Sequence, residues 1–263
     1  MNILFRTATR LAAAVFCLGL ASVALPAAAA EFSPTQTREI GDIVRDYLIE
    51  HPEVLRDAMV ELDRREKAEQ TAAREKIISG NPNLFSSRHQ AVVGNPNGKI
   101  TLVEFFDYNC GYCKKSLDDL AKLVKDEPEL RVVLKDFPVL GPGSVEASQV
   151  ASALRNQFTG DKFWAYHQKL LLTRGQVGKA QALAVAKDMG AEMGKLERDM
   201  ASPDVKTGIQ EVMQMADGLN LTGTPSWVLG KEVVIGAVGY DELKGKIGNV
   251  SMNLAKCGKA VCS

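Results

Sequence analysis

The stretch "VEFFDYNCGYCKKSL", Val103 to Leu117, sets the tightest limit on what this chain can fold into. Cys110 and Cys113 stand two residues apart where an apolar run meets a helix-like segment. "KITLVEFFD", with its β-branched and aromatic residues, predicts a buried strand, and a helix follows through about Lys125. That junction places Cys110 at a helix N-terminus, where free backbone N–H groups and the macrodipole favour a thiolate. A lowered pKa makes a sulfur both an available nucleophile and a good leaving group in exchange. Cys113, one turn further in, is better shielded and suits the resolving role. The spacing alone also fits a structural disulfide or half of a zinc site. A zinc site uniting this pair with Cys257 and Cys262 would silence Cys110, so no metal is assigned.

The compartment bears on that choice. Residues 1–30 carry Arg6 and Arg10, an apolar core "LAAAVFCLGLASVAL" and a small-residue site at Ala28-x-Ala30, the layout of a secretory signal peptide. Cys17 lies in that core, so four of the five cysteines remain, an even number in an exported chain. Without Arg6 and Arg10, the 32 basic residues become 30 against 32 acidic ones. No basic patch calls for nucleic acid, and no later segment has the ~20 apolar residues that span a bilayer. More than 200 residues can bury a large core without disulfides. Cys257 and Cys262, in the tail "CGKAVC" at 256–263, read as a small structural disulfide.

Ahead of the cysteines, Ser33-Pro34 opens a helix, with Ser as N-cap and Pro at the first position. Ile40, Ile43, Val44, Tyr47 and Leu48 share a helical face, and after Pro52 the stripe resumes at Leu55, Met59 and Leu62. Residues 63–80 are mostly charge, with Glu61–Arg65 and Asp63–Lys67 at i,i+4. The apolar stripe either folds back on the main domain or is buried between copies. The charged stretch reads as a helical linker holding it away, which favours an oligomerisation arm over residues 31–62. After Cys113, "LRVVLKDFP" is a second strand, residues 144–219 are helical, "TPSWVLG" and "EVVIGAVG" are short strands, and "YDELKGKIGNV" is a closing helix. This is a split α/β domain over 81–255 with a helical insertion. His51, His89 and His167 lack ligand spacing and read as surface or helix-boundary residues. Phe163, Trp164, Met213 and Trp227 read as core.

In this order, "VEFFDYNCGYCKK", "LKDFPVLGPGS", "LTGTPSWVLG" and "IGAVGYDEL" resemble the DsbA-like family of thioredoxin-fold thiol:disulfide oxidoreductases, over roughly Val92–Val250. Within it the oligomeric ScsC and Com1-like group is the nearest in pattern, and "REIGDIVRDYLIEHPEVLRDAMVEL" is similar to that group's oligomerisation arm. The resemblance implies a thioredoxin fold with an inserted helical domain, no cofactor and a homo-oligomer, a trimer by analogy. It makes Cys110 the attacking and Cys113 the resolving cysteine. "TGTP" matches the cis-proline loop, so Thr224 and Pro225 would face the pair and bind substrate. A cis X-Pro bond offers the preceding backbone to an extended peptide. Glu104 takes the place of a buried acid that relays a proton to or from the resolving thiol. A structural carboxylate inside "TLVEFFD" would be costly unless neutral or paired.

Gly111 and Tyr112 would contact substrate and set the redox poise. Strong oxidants of the family carry His at the position of Tyr112, whose charge Tyr cannot supply. The implied function is a periplasmic oxidoreductase acting on protein thiols and disulfides, isomerase or reductase ahead of dithiol oxidase. Its recycling partner would be a membrane protein of DsbD or DsbB type. A different class, a copper-sequestering or holdase protein, would use the same thiols as soft ligands.

Overall fold

The computed structural model describes residues 32–257, with side chains as far as residue 253. The expected signal peptide over residues 1–30 and the expected Cys257–Cys262 disulfide therefore lie outside the described residues. The chain divides into two compact units that meet at Val60 and Glu61.

The first unit is helical. Helix α1 (Pro34–Glu50) starts at a capping box in which Gln36 N–H donates to Ser33 Oγ at 3.3 Å and Ser33 N–H donates to Gln36 Oε1 at 2.9 Å. It ends at His51, and Pro52 opens α2 (Pro52–Gly80). Helix α1 buries no residue, and Ile43, Val44, Tyr47, Leu55, Met59 and Val60 are all exposed. Such a row is unusual for a face that ends in water.

The second unit takes up the end of α2. Residues 63–80, expected as a charged helical linker, are helical throughout, and their last turns pack onto the rest of the second unit. Ile78 is buried, and Arg74 donates from Nε to the Leu219 carbonyl at 2.9 Å and from a terminal nitrogen to the Asn220 carbonyl at 3.1 Å. A 3-10 turn (Pro82–Leu84) leads to strand β1 (Ala91–Gly94). Then come β2 (Ile100–Phe106), α3 (Gly111–Asp126) and β3 (Leu130–Asp136). Five helices follow: α4 (Pro142–Leu154), α5 (Gly160–Leu171), α6 (Lys179–Asp188), α7 (Met193–Met200) and α8 (Pro203–Gly218). Strands β4 (Ser226–Leu229) and β5 (Glu232–Ile235) and helix α9 (Tyr240–Cys257) close the unit.

The sheet order is β1-β3-β2-β4-β5. β2 and β3 run parallel, and the other pairs are antiparallel. β2 and β3 are covered on both faces, which is why their sequences are nearly unbroken apolar runs. Leu102 and Phe106 join the core with Leu117, Leu120 and Leu123 of α3, while Val103 and Phe105 join the opposite core with Ile78, Val212 and Met215. This is the thioredoxin-like α/β fold with the helices α4–α8 inserted between β3 and β4. The Arg155 guanidinium on the insertion pairs with the buried Asp136 carboxylate at the end of β3.

Strand β1 was not anticipated: four residues before a turn carry too little pattern, and it exists by pairing with β3. His167 is a correction. It sits mid-helix in α5, fully buried, stacked on Trp164 at 5.4 Å and edge-on to Phe106 at 4.6 Å. Aromatic packing accommodates the ring, and both ring nitrogens lack partners. Burial, with the nearby Arg155 charge, pulls its pKa down to about 3, so it is carried as a neutral apolar plate.

Candidate active site

β2 delivers Glu104 into the interior and ends two residues before a short polar turn. Asp107, fully buried, ties that turn down. Its Oδ1 accepts from Asn109 N–H at 2.8 Å and from the Ser144 hydroxyl at 2.7 Å, and its Oδ2 accepts from Val139 and Leu140 N–H at 2.8 and 2.9 Å. The Cys110 N–H donates to the Asp107 carbonyl at 3.0 Å. Asn109 reaches the insertion, donating to the Ser144 hydroxyl and the Val177 carbonyl, each at 2.9 Å, and accepting from Val177 N–H at 2.7 Å. The site is thus clamped between sheet and inserted helices.

Cys110 is the N-cap of α3, with extended backbone, and its Sγ accepts from Cys113 N–H at 3.4 Å. Both sulfurs are free thiols. The hydrogen bond from the Cys113 side chain leads in holding Cys110 down to about 5, with the Thr224 side chain and the Cys113 and Tyr112 N–H groups adding to it against the opposing effect of burial. When protonated, the Cys110 thiol lies 3.1 Å from the Thr224 carbonyl, to which it donates. That contact favours the thiol, but the donors aimed at the sulfur outweigh it. Burial pushes Cys113 far above the ordinary thiol range, with the Cys110 side chain and the Glu104 charge adding to it. Three residues apart, one sulfur is prepared to ionise and the other to stay protonated.

Glu104 is 2% exposed and stands between Leu134 of β3 and Trp227 of β4, on the same sheet face as Leu102 and Phe106. It faces the interior, not water. Burial raises its pKa to about 8, and the Cys110 charge adds to the shift. Its Oε2 has no partner. With its pKa near neutrality, it can exist as either the acid or the carboxylate.

The Thr224-Pro225 peptide is cis and lies against Cys110. Tyr112 is 64% exposed, and Gly111 has open space where a side chain would stand. Glu104, Cys110, Gly111, Tyr112, Cys113, Thr224 and Pro225 therefore form one constellation. Cys110 itself is 5% exposed, with the Thr224 carbonyl lying over its sulfur. Asp107 and Asn109 were missed, although both lie in the opening stretch. Among the described residues, no group of three or more His, Cys, Asp or Glu side chains gathers as a metal site.

Residues 101–248 match the DSBA-like thioredoxin domain, and residues 36–69 match the copper resistance protein ScsC N-terminal domain. A thioredoxin-like oxidoreductase from Silicibacter pomeroyi is 35% identical, covering 65% of this chain and 98% of that one, with a TM-score of 0.62. ScsC of Proteus mirabilis in a compact conformation is 30% identical, covering 83% and 98% of the two chains, again with a TM-score of 0.62. Thiol:disulfide interchange protein DsbA of Bordetella pertussis is 28% identical over 143 residues, 51% of this chain and 64% of that protein. The chain spans 21% of the length of the Na(+)/H(+) antiporters of Salinispora that it also matches. With its thioredoxin fold, its free cysteine pair at the head of α3 and these matches, the chain belongs to the DSBA-like thioredoxin family, in its ScsC-like branch.

Proposed function

We propose that this protein is a periplasmic thiol:disulfide oxidoreductase acting on protein disulfides, with isomerisation or reduction ahead of net oxidation. The observation that carries the reading is the opposed preparation of Cys110 and Cys113. The Cys110 thiolate attacks a substrate disulfide, forming a mixed disulfide and expelling one substrate thiolate. Cys113 then gives its proton to the Glu104 carboxylate and attacks Cys110 Sγ. That step releases the second substrate thiolate and leaves the Cys110–Cys113 disulfide. Two electrons have passed to the substrate, and a membrane electron donor of DsbD type restores the dithiol; in the oxidase direction a membrane electron acceptor of DsbB type would instead restore the disulfide. If a substrate thiolate resolves the mixed disulfide instead, no net electrons move and the substrate is isomerised.

The exposed apolar row of the first unit supports a homo-oligomer, and the likeness to ScsC favours a trimer. Several catalytic units in one assembly would suit repeated capture of a mispaired client. The match of residues 36–69 supports a place in copper tolerance. Refolding of scrambled ribonuclease by the full chain, beside insulin reduction, tests the order. Recovery of active ribonuclease is expected; no recovery together with fast oxidation of reduced substrate reverses it. Dithiol oxidation is the second reading, favoured by the Cys110 value of about 5, since a good leaving group makes an oxidising disulfide.

A further inference from the structure

Beside the CGYC turn lies a pocket of about 290 Å³, lined by Tyr112, Lys115, Ser116, Asp119 and Ala237. Its size suits one side chain better than a drug-sized molecule. Ala237 is held beside the cis-proline loop because Gly236 N–H donates to the Pro225 carbonyl at 2.8 Å and the Gly236 carbonyl accepts from Trp227 Nε1 at 3.0 Å. The wall of the pocket and the roof of Cys110 are therefore one piece.

Four residues of the lining stay unmatched among the described residues. Ser116, one turn after Cys113, is 2% exposed and its hydroxyl has no partner. A buried hydroxyl without a partner is costly, and such groups persist where a ligand or function needs them. Asp119 is half-buried and in no ion pair among the described residues, although Lys115 stands four residues before it on α3. Lys115 is exposed and keeps its ammonium in water. Tyr112 turns an open aromatic surface toward the same space.

We propose that this pocket is a specificity subsite for a cationic side chain, arginine above lysine, flanking the reacting cysteine of a protein substrate. The inference rests on the oxidoreductase reading above and names part of its substrate class. A guanidinium offers several N–H donors in a plane: one edge meets the Asp119 carboxylate, another the Ser116 oxygen, and the flat face lies on Tyr112. An aliphatic side chain would leave the Ser116 hydroxyl orphaned, and a carboxylate would meet Asp119 as a like charge.

The test uses the full reduced chain and three short disulfide-bonded peptides that differ only in Arg, Ala or Glu beside the cysteine. Specificity constants for peptide reduction are read for the wild type, Asp119→Asn and Asp119→Lys, with melting curves to establish folding. The Arg peptide is expected to exceed the Glu peptide about fivefold to tenfold in the wild type. That ratio should fall towards one in Asp119→Asn and invert in Asp119→Lys. Equal wild-type rates, a wild-type preference for Glu set by Lys115, or an Arg preference that survives Asp119→Asn each overturns the subsite alone. If no peptide is turned over, the oxidoreductase reading fails and takes the subsite with it.

Discussion

Titrating the reduced protein isolates the property on which exchange depends. Cys110 is held at about 5 against 9.0 for an ordinary thiol, while Cys113 is pushed far up. At pH 7 an ordinary thiol is about 1% ionised and Cys110 about 99%. That hundredfold gain in thiolate is nearly cancelled by lost nucleophilicity, about 40-fold to 100-fold over four units at a Brønsted slope of 0.4–0.5. The low pKa therefore acts chiefly by making Cys110 a good leaving group and by stabilising the dithiol state. An acid whose folded pKa is depressed lends stability that is full above its unfolded pKa, near 9.0, and is lost as pH falls through about 5. At pH 7 the upper limit is about 2.7 kcal/mol, which solvent screening at the mouth of the site reduces to about 1–2 kcal/mol. For a two-electron couple this is about 20–40 mV towards oxidation. Thiolate absorbance near 240 nm, reduced minus oxidised, should show one transition near pH 5 that Cys110→Ser abolishes. The reduced protein should also lose about 2–8 °C of melting temperature between pH 7 and pH 4 beyond what Cys110→Ser loses. A midpoint above pH 7, or an equal loss in the variant, refutes the reasoning.

Glu104 has the opposite sign: its folded pKa is raised to about 8, so stability present below the ordinary carboxyl value is lost as pH rises through 8. Glu104→Gln should flatten that alkaline loss in a melting series, and stopped-flow should find release of a trapped mixed disulfide slowed roughly 10-fold to 100-fold. Asp107→Ala leaves the Val139, Leu140 and Asn109 N–H groups and the Ser144 hydroxyl without their acceptor. Chemical denaturation should show a loss of about 3 kcal/mol or more, and a loss under about 1 kcal/mol would count against the clamp. His167 is held neutral at about 3, so stability is lost as pH falls from the unfolded value of 6.5 through 3. His167→Phe should gain about 3 kcal/mol more at pH 4 than at pH 8; equal gains at the two pH values would contradict the burial argument.

Local pattern made much of this molecule legible. Ile100–Phe106 and Leu130–Asp136 are buried on both faces, so each reads as a strand without knowing its neighbour. Glu104 was visible for the same reason, as an acid where only apolar residues belong. Asp107 and Asn109 were not, because a polar turn before a helix is ordinary and their partners lie 32 to 68 residues away. The roof on Cys110 likewise comes from Thr224, 114 residues on. His167 misled because composition places histidine at surfaces, whereas Phe106 and Trp164 supply a slot only after the insertion folds onto β2.

Tyr112 is one of several groups that bear on the redox poise. Without a cationic neighbour between the cysteines, a very strong oxidant was not expected, which left room for a reductase or isomerase. The groups that hold Cys110 low are instead its partner Cys113, the Thr224 side chain and backbone N–H groups at the head of α3. Most of these belong to the fold, since any CxxC pair at this junction beside a Thr-Pro loop would have them. The Tyr112 side chain is not among the groups that hold the sulfur low, and at 64% exposure it faces outward. The same loop that stabilises the thiolate also covers it, so a client that displaces the Thr224 carbonyl from Cys110 removes a contact that, together with burial, favours the thiol. Substrate binding along Thr224 and Pro225 and ionisation of Cys110 should therefore be coupled.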